Sequence, residues 1–379
     1  MPTTPWRDST NRAPVVAPGS PRPTHSVGGW VRILSGVPDQ LTDRRPDVSV
    51  TRLIAEMVPP PRFAGVRFGT YVPDDAQPSQ AEAVARLNAF AATVGAAQPR
   101  RGLLRRRGAA ADAVPGIYLD GGFGVGKTHL LASVWHAADV PSEEKTFCTF
   151  VELTHLVGAL GFTRAVEALS TRRLLCIDEF ELDDPGDTVL VSTLLSRLTA
   201  AGVRLAATSN TLPDKLGEGR FAATDFLREI QALSARFSVV RVDGEDYRHR
   251  GLPSAPEPLS DADVTVQAQG GAGHTLDDFG ALCQHLAEVH PSRYGPLLDG
   301  VSRVHLRGVH PIDDQNVALR LVVLVDRLYD REIPVVVGGV PIDGLFAPDL
   351  LTGGYRKKYF RAVSRLISLA RDASLTPPT

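Results

Sequence analysis

Cysteine, lysine and long apolar runs are all scarce in this chain of 379 residues. The three cysteines, Cys148, Cys176 and Cys283, are too few and too scattered for a disulfide framework or a zinc site, which points to a reducing compartment, the cytosol. No apolar run approaches the roughly 18 residues needed to span a bilayer. The N-terminus carries prolines where a signal peptide needs an apolar centre. The expectation is a cytoplasmic protein, neither secreted nor integral to a membrane. An excess of one charge is also missing. Against 43 Asp+Glu stand 41 Lys+Arg, a formal net charge of -2, so no whole-chain attraction to nucleic acid or an anionic membrane is expected. Only five basic residues are lysine (Lys127, Lys145, Lys215, Lys357, Lys358); the rest are arginine in an Ala-, Gly- and Pro-rich background, a compositional bias that lowers the weight of any arginine cluster.

The hydrophobic fraction of 43% is ample for a core, and the length suits two or three domains of about 100 to 200 residues. Residues 1–37 read as a proline-rich tail, with six prolines in the first 23 positions and little to bury. A lead segment, 38–112, follows. It holds a helical pattern over 48–57, a stop at Pro59-Pro60-Pro61, and a Ser79-x-x-Glu82 capping-box pattern heading a second helix that ends near Val94. The arginine-rich run at 100–107 reads as an exposed loop or, alternatively, a docking loop for a polyanion or partner. Over 113–253 strand, turn and helix alternate, with strands expected at 117–119, 147–150, 174–177, 203–208 and 239–242; this is the pattern of a parallel α/β sheet flanked by helices. A Pro, Ser, Asp and Gly-rich linker at 254–273 leads into a mixed α/β, lid-like domain at 274–379. That domain shows helical spacing at Leu321, Leu324, Val325 and Leu328, a strand at 335–337 and a closing helix through Tyr359, Leu366 and Ala370.

The chemistry concentrates at three strand ends. Gly121-Gly122-Phe123-Gly124-Val125-Gly126-Lys127-Thr128 matches G-x-x-x-x-G-K-[ST] between an apolar strand and a helix. Small residues let successive N–H groups turn inward as an anion nest at the positive end of a helix. Lys127 is expected on the β- and γ-phosphates of ATP, and Thr128 on Mg2+. Asp178 and Glu179 close the apolar strand 174–177, where parallel sheets bind their ligands; Asp178 is expected to hold Mg2+ and Glu179 to polarise the attacking water. Asn210, at the end of strand 203–208, is expected to touch the γ-phosphate and help hold that water. Together they describe a P-loop NTPase with ATP and Mg2+ as its cofactors.

Several elements beyond these motifs make the chain resemble the ZapE-type AAA ATPases. They are residues 59–63, Tyr71-Val72-Pro73-Asp74, Pro78-Ser79-Gln80, Leu175-Cys176-Ile177-Asp178-Glu179-Phe180, Ala207-Thr208-Ser209-Asn210, Asp246-Tyr247-Arg248 and Ala362-Val363-Ser364-Arg365-Leu366-Ile367. The resemblance implies a cytoplasmic ATPase that works as a homo-oligomer on a protein assembly, associated in bacteria with the FtsZ ring. It also places Arg365 as a sensor-2-like arginine on the γ-phosphate, with a solvated helix face as the alternative. His129, which follows Thr128 on the P-loop helix, is counted with the nucleotide-binding residues or, alternatively, packs or caps there. The family's usual arginine before the Phe-Leu pair after sensor 1 is replaced by Asp225, leaving Arg220, Arg228 or neither to act across a subunit interface. Two other readings share the motifs. A DNA-associated helicase loader sits poorly with the balanced charge, and a nucleotide-gated scaffold without turnover is opposed by Glu179 and Asn210.

Overall fold

The computed structural model describes residues 38–47, 49–95, 114–122, 124–182, 185–217, 223–244 and 255–375. The tail at 1–37, the arginine run at 100–107, Phe123, Arg220 and Asp246-Tyr247-Arg248 lie outside the described residues.

In the lead segment, α1 (Val50–Ala55) begins where the Ser49 hydroxyl accepts the Arg52 N–H. The second helix, α2 (Pro78–Thr93), departs from the capping-box expectation. Proline at the first helical position starts it instead, and Gln77 is the N-cap, without a side-chain hydrogen bond. The Ser79 hydroxyl is engaged elsewhere, accepting the Asp243 N–H at 3.0 Å.

Five strands, β1 (Gly116–Gly121), β2 (Lys145–Thr149), β3 (Leu174–Asp178), β4 (Arg204–Ser209) and β5 (Phe237–Val242), form one parallel sheet in the order β2-β3-β4-β1-β5. Alternate residues of β1 and β3 enter cores on opposite faces: Tyr118, Leu175 and Ile177 on one, Ile117, Leu119 and Cys176 on the other. Burial on both faces is why these strands read as unbroken apolar runs. The covering helices are α3 (Lys127–Ala137), α4 (Phe150–Leu160), α5 (Phe162–Ser170), α6 (Pro185–Ala200) and α7 (Leu227–Ser234). Val191, Leu194, Leu195 and Leu198 of α6 are fully buried, as their spacing predicts.

Phe150, expected in the second strand, opens α4. Thr149 and Glu152 form a reciprocal capping box that ends β2 and starts the helix at once, and this local bonding outweighs the apolar run.

After β5 the stretch at 254–273 holds α8 (Asp261–Ala268), capped by Ser260. A second parallel sheet follows, β6 (His274–Asp278), β7 (Arg303–Val309) and β8 (Val335–Gly339), with β7 central. Its helices are α9 (Phe279–Glu288), α10 (Tyr294–Leu297), α11 (Gln315–Asp330), α12 (Pro348–Thr352) and α13 (Arg356–Leu375). Only β8 was legible as a strand, because β6 and β7 carry His, Asp and Arg at positions where an apolar run would be sought. Among the described residues no helix is long and apolar enough to cross a membrane.

Candidate functional site: a P-loop facing an acidic strand end

The loop between β1 and α3 is shaped by glycine where other residues do not fit. Gly126 has φ +85°, and a Cβ there would lie 2.7 Å from the Tyr71 ring; a Cβ on Gly121 would lie 2.2 Å from the Val242 carbonyl oxygen. The lead segment straps the loop from outside. The Tyr71 hydroxyl donates to the Val125 carbonyl at 2.9 Å, the Asp74 N–H donates to Gln80 Oε1 at 2.8 Å, and Gln80 Nε2 donates to the Asp243 carbonyl at 2.8 Å. Tyr71 and Gln80, noted in the sequence only as part of a resemblance, therefore have a physical task, and Ser79, expected as a helix cap, has a different one.

The first turn of α3 aims its side chains along the carboxyl edge of the sheet. Lys127 Nζ donates to Gly121 O at 2.9 Å, to Gly122 O, and to Asn210 Oδ1 at 2.7 Å. Thr128 Oγ1 lies 3.0 Å from Asp178 Oδ2, and Thr208 Oγ1 donates to Asp178 Oδ1. Because β4 runs between β1 and β3, Asn210 stands between the P-loop and the acidic pair. Burial, then the neighbouring Glu179 charge, pushes the Asp178 carboxyl up from its usual range. Hard oxygen donors on a buried carboxylate and an adjacent hydroxyl suit a small divalent cation such as Mg2+.

Glu179 adopts φ 53°, rare for a non-glycine residue. Its N–H donates to Thr208 Oγ1 at 3.1 Å and the next N–H, of Phe180, to the Thr208 carbonyl at 2.7 Å. Its side chain meets α13: Arg361 Nη1 pairs with Glu179 Oε2, and Arg365 Nη2 lies 3.6 Å from Oε1. Both arginines also pair with Asp326 of α11. Burial would raise the Asp326 carboxyl, but Arg361 and Arg365 outweigh it and hold it below the usual carboxylate range. The rest of this wall was missed in the sequence: Tyr329 lies beneath the Arg62 guanidinium at 3.8 Å, and Arg365 stands 5.0 Å from the same ring. The spacing of Asp326 and Asp330 opposite the Arg361 and Arg365 spacing was the available signal, but only packing pairs the two helices.

A cleft of about 1150 Å³ joins these parts, lined by Gly124, Gly126, Lys127, Thr128, His129, Asp178, Glu179, Asn210, Arg361 and Arg365 and extending past residues 57–63 toward α11. Of the residues singled out in the sequence, Gly121, Gly122 and Val125 shape the loop. The His129 ring is occupied by Thr70 Oγ1 at 2.9 Å and by the Tyr71 edge. Arg228 is exposed on α7. Phe147 and Phe150 are core residues.

A five-stranded parallel sheet of this order, with a glycine loop leaving one strand and an acidic pair leaving another, defines a P-loop NTPase fold. More narrowly, the chain belongs to the AFG1-like ATPase family, whose profile matches residues 48–271 and 262–376. The cell division protein ZapE of Escherichia coli K12 is 29% identical over 363 residues, covering 81% of this chain and 94% of that protein. The lactation elevated protein 1 homolog B of Danio rerio is 32% identical over 95 residues, 25% of this chain and 19% of that protein. Among solved structures, domain III of the Thermotoga maritima replication initiation protein DnaA is 15% identical, covers 82% of this chain and 97% of that one, and superposes with a TM-score of 0.35. The resemblance drawn from the motifs is thus met by the family match.

Proposed function

We propose that the chain hydrolyses ATP at the cleft between β1 and β3. The observation that carries this reading is the meeting, at one sheet edge, of Lys127 and Thr128 from the P-loop with Asp178, Glu179 and Asn210 from two other strands.

The loop N–H groups and the start of α3 bind the phosphates, and the Lys127 ammonium, held at Asn210, lies where charge on the β- and γ-phosphates is neutralised. Thr128 and Asp178 would hold Mg2+, which would supply screening of the phosphate charge. Glu179 takes a proton from water as the water oxygen bonds to the γ-phosphorus. The bond from that phosphorus to the β–γ bridging oxygen breaks, leaving ADP and inorganic phosphate. Asn210 orients the water and the γ-phosphate, and Arg365, beside Glu179, answers to the γ-phosphate from the C-terminal domain.

The reading extends to a cytoplasmic homo-oligomer that remodels a protein assembly. The similarity to a protein named for cell division makes the division machinery, and FtsZ polymers in particular, the first partner to test.

Turnover of ATP by wild type, by Glu179→Gln and by Lys127→Ala tests the site. Wild type should hydrolyse, Glu179→Gln should bind ATP without turning it over, and Lys127→Ala should lose binding. Equal negligible rates in wild type and Glu179→Gln would leave a nucleotide-gated scaffold. Stimulation by FtsZ polymers supports the assembly reading, whereas salt-sensitive stimulation by DNA would favour a helicase-loader role.

A further inference from the structure

The Glu179 carboxylate is held from the other half of the protein. Arg361, 182 residues away in sequence, pairs through Nη1 with Glu179 Oε2, and through Nη2 it donates to Asp326 Oδ2 at 2.8 Å. One planar guanidinium thus bridges a carboxylate at the end of β3 and another on α11. The three side chains are largely withdrawn from solvent, at 19%, 28% and 22% exposure for Arg361, Glu179 and Asp326. Arg365 pairs with the other Asp326 oxygen but stands 3.6 Å from Glu179 Oε1, beyond hydrogen-bonding distance. The two arginines therefore divide the work. Arg361 hydrogen-bonds one oxygen of Glu179, and Arg365 is the looser ionic neighbour of the other, which accepts no hydrogen bond from it.

A glutamate has three side-chain torsions, and a general base must be held within a fraction of an ångström of the proton it removes. The backbone of Glu179 is fixed by Thr208, but nothing on β3 or β4 that is described here holds its carboxylate. The guanidinium does, because it is planar and rigid: Nη2 is anchored on Asp326, which fixes where Nη1 meets Glu179 Oε2.

We propose that Arg361 is a positioning residue for Glu179, anchored by Asp326, fixing Oε2 so that Oε1 faces the attacking water. The proposal rests on the hydrolytic reading of the site. It makes the C-terminal domain a component of the active site: the P-loop domain alone can bind nucleotide but cannot orient its base.

The test uses the full chain, with ATP turnover measured beside binding of a fluorescent ATP analogue. Arg361→Gln should lower kcat about ten- to a hundredfold, the scale of a small misplacement of a catalytic group, while analogue affinity stays near wild type. Arg361→Lys should recover part of the loss, since a point charge reaches one carboxylate and not both. Asp326→Asn, which frees the Arg361 anchor without touching Glu179, should also lower kcat; because Asp326 pairs with Arg365 as well, analogue affinity is read in Arg361→Gln. Retained binding reports an intact P-loop and separates misplacement from misfolding. Unchanged kcat in Arg361→Gln, parallel loss of affinity and kcat, or faster turnover would overturn the assignment. If wild type exceeds Glu179→Gln but equals Arg361→Gln, only the positioning role falls; if wild type equals Glu179→Gln, the hydrolytic reading falls with it.

Discussion

Thr128 Oγ1 and Asp178 Oδ2 lie 3.0 Å apart although β1, which leads into the helix carrying Thr128, and β3, which carries Asp178, are not neighbours. The separation is bridged because α3 starts directly above the carboxyl end of the sheet, so its second residue leans over β4 to reach β3.

That pair yields a prediction in which function and stability oppose each other. Asp178 is buried beside a like charge, so its ionised form is costly in the metal-free protein. Asp178→Asn keeps a hydrogen-bonding group without the charge. It should abolish Mg2+-dependent turnover while stabilising the metal-free protein by roughly 0.5 to 2 kcal/mol, the usual yield of relieving an active-site compromise. Turnover against Mg2+ concentration and urea unfolding in EDTA check the two halves; a destabilised variant would contradict the electrostatic reading.

Gly126→Ala combines two penalties. The left-handed backbone at φ +85° costs an alanine about 1 to 2 kcal/mol, and the new methyl meets the Tyr71 ring. Nucleotide binding should be lost. Adding Tyr71→Ala should recover only the steric part of the stability loss, so a thermal-melting comparison of the single and double variants separates ring clash from backbone strain.

Arg327 of α11 pairs with Glu152 of α4, with side-chain exposures of 20% and 18%. Glu152 also closes the capping box at the end of β2, so this ion pair ties the C-terminal domain to the strand beside Asp178. Arg327→Met leaves Glu152 without its partner and should cost about 3 kcal/mol, the low end for breaking a buried pair. Arg327→Met together with Glu152→Gln should cost less than the single change, as read from urea unfolding.

His155 of α4 and His290 pack edge to face, ring centroids 5.4 Å apart, where the two halves meet. Burial, reinforced by His290, Arg327 and Arg320 and opposed by Glu152, pushes His155 down to about 4. Above pH about 6.5 its ring is neutral both folded and unfolded. Below that, the unfolded chain takes up a proton the folded chain refuses, so stability falls from about pH 6.5 to about pH 4 and then levels. His155→Gln should show a shallower fall in melting temperature across this range; an identical slope would place the sensitivity elsewhere.

The legible part of the fold follows from local physics. The interior strands of the first sheet are buried on both faces, so 117–119 and 174–177 stand out as apolar runs, and α6 and α11 show their buried stripes directly. What misled was competition at close range. Thr149 and Glu152 turned the end of an expected strand into a helix start, and Pro78 pre-empted the cap assigned to Ser79. The polar strands β6 and β7 escaped notice because their partners, not their own composition, make them strands.

By itself the sequence determined the phosphate loop, the acidic pair and Asn210, because each depends on a few adjacent residues between a strand and a turn. Only the tertiary structure decided that Arg361 and Arg365 converge on Glu179 and Asp326 together. Helical spacing places the two arginines on one face of α13, but which charges they meet depends on how α13 and α11 pack beside β3, a long-range contact that no local pattern encodes.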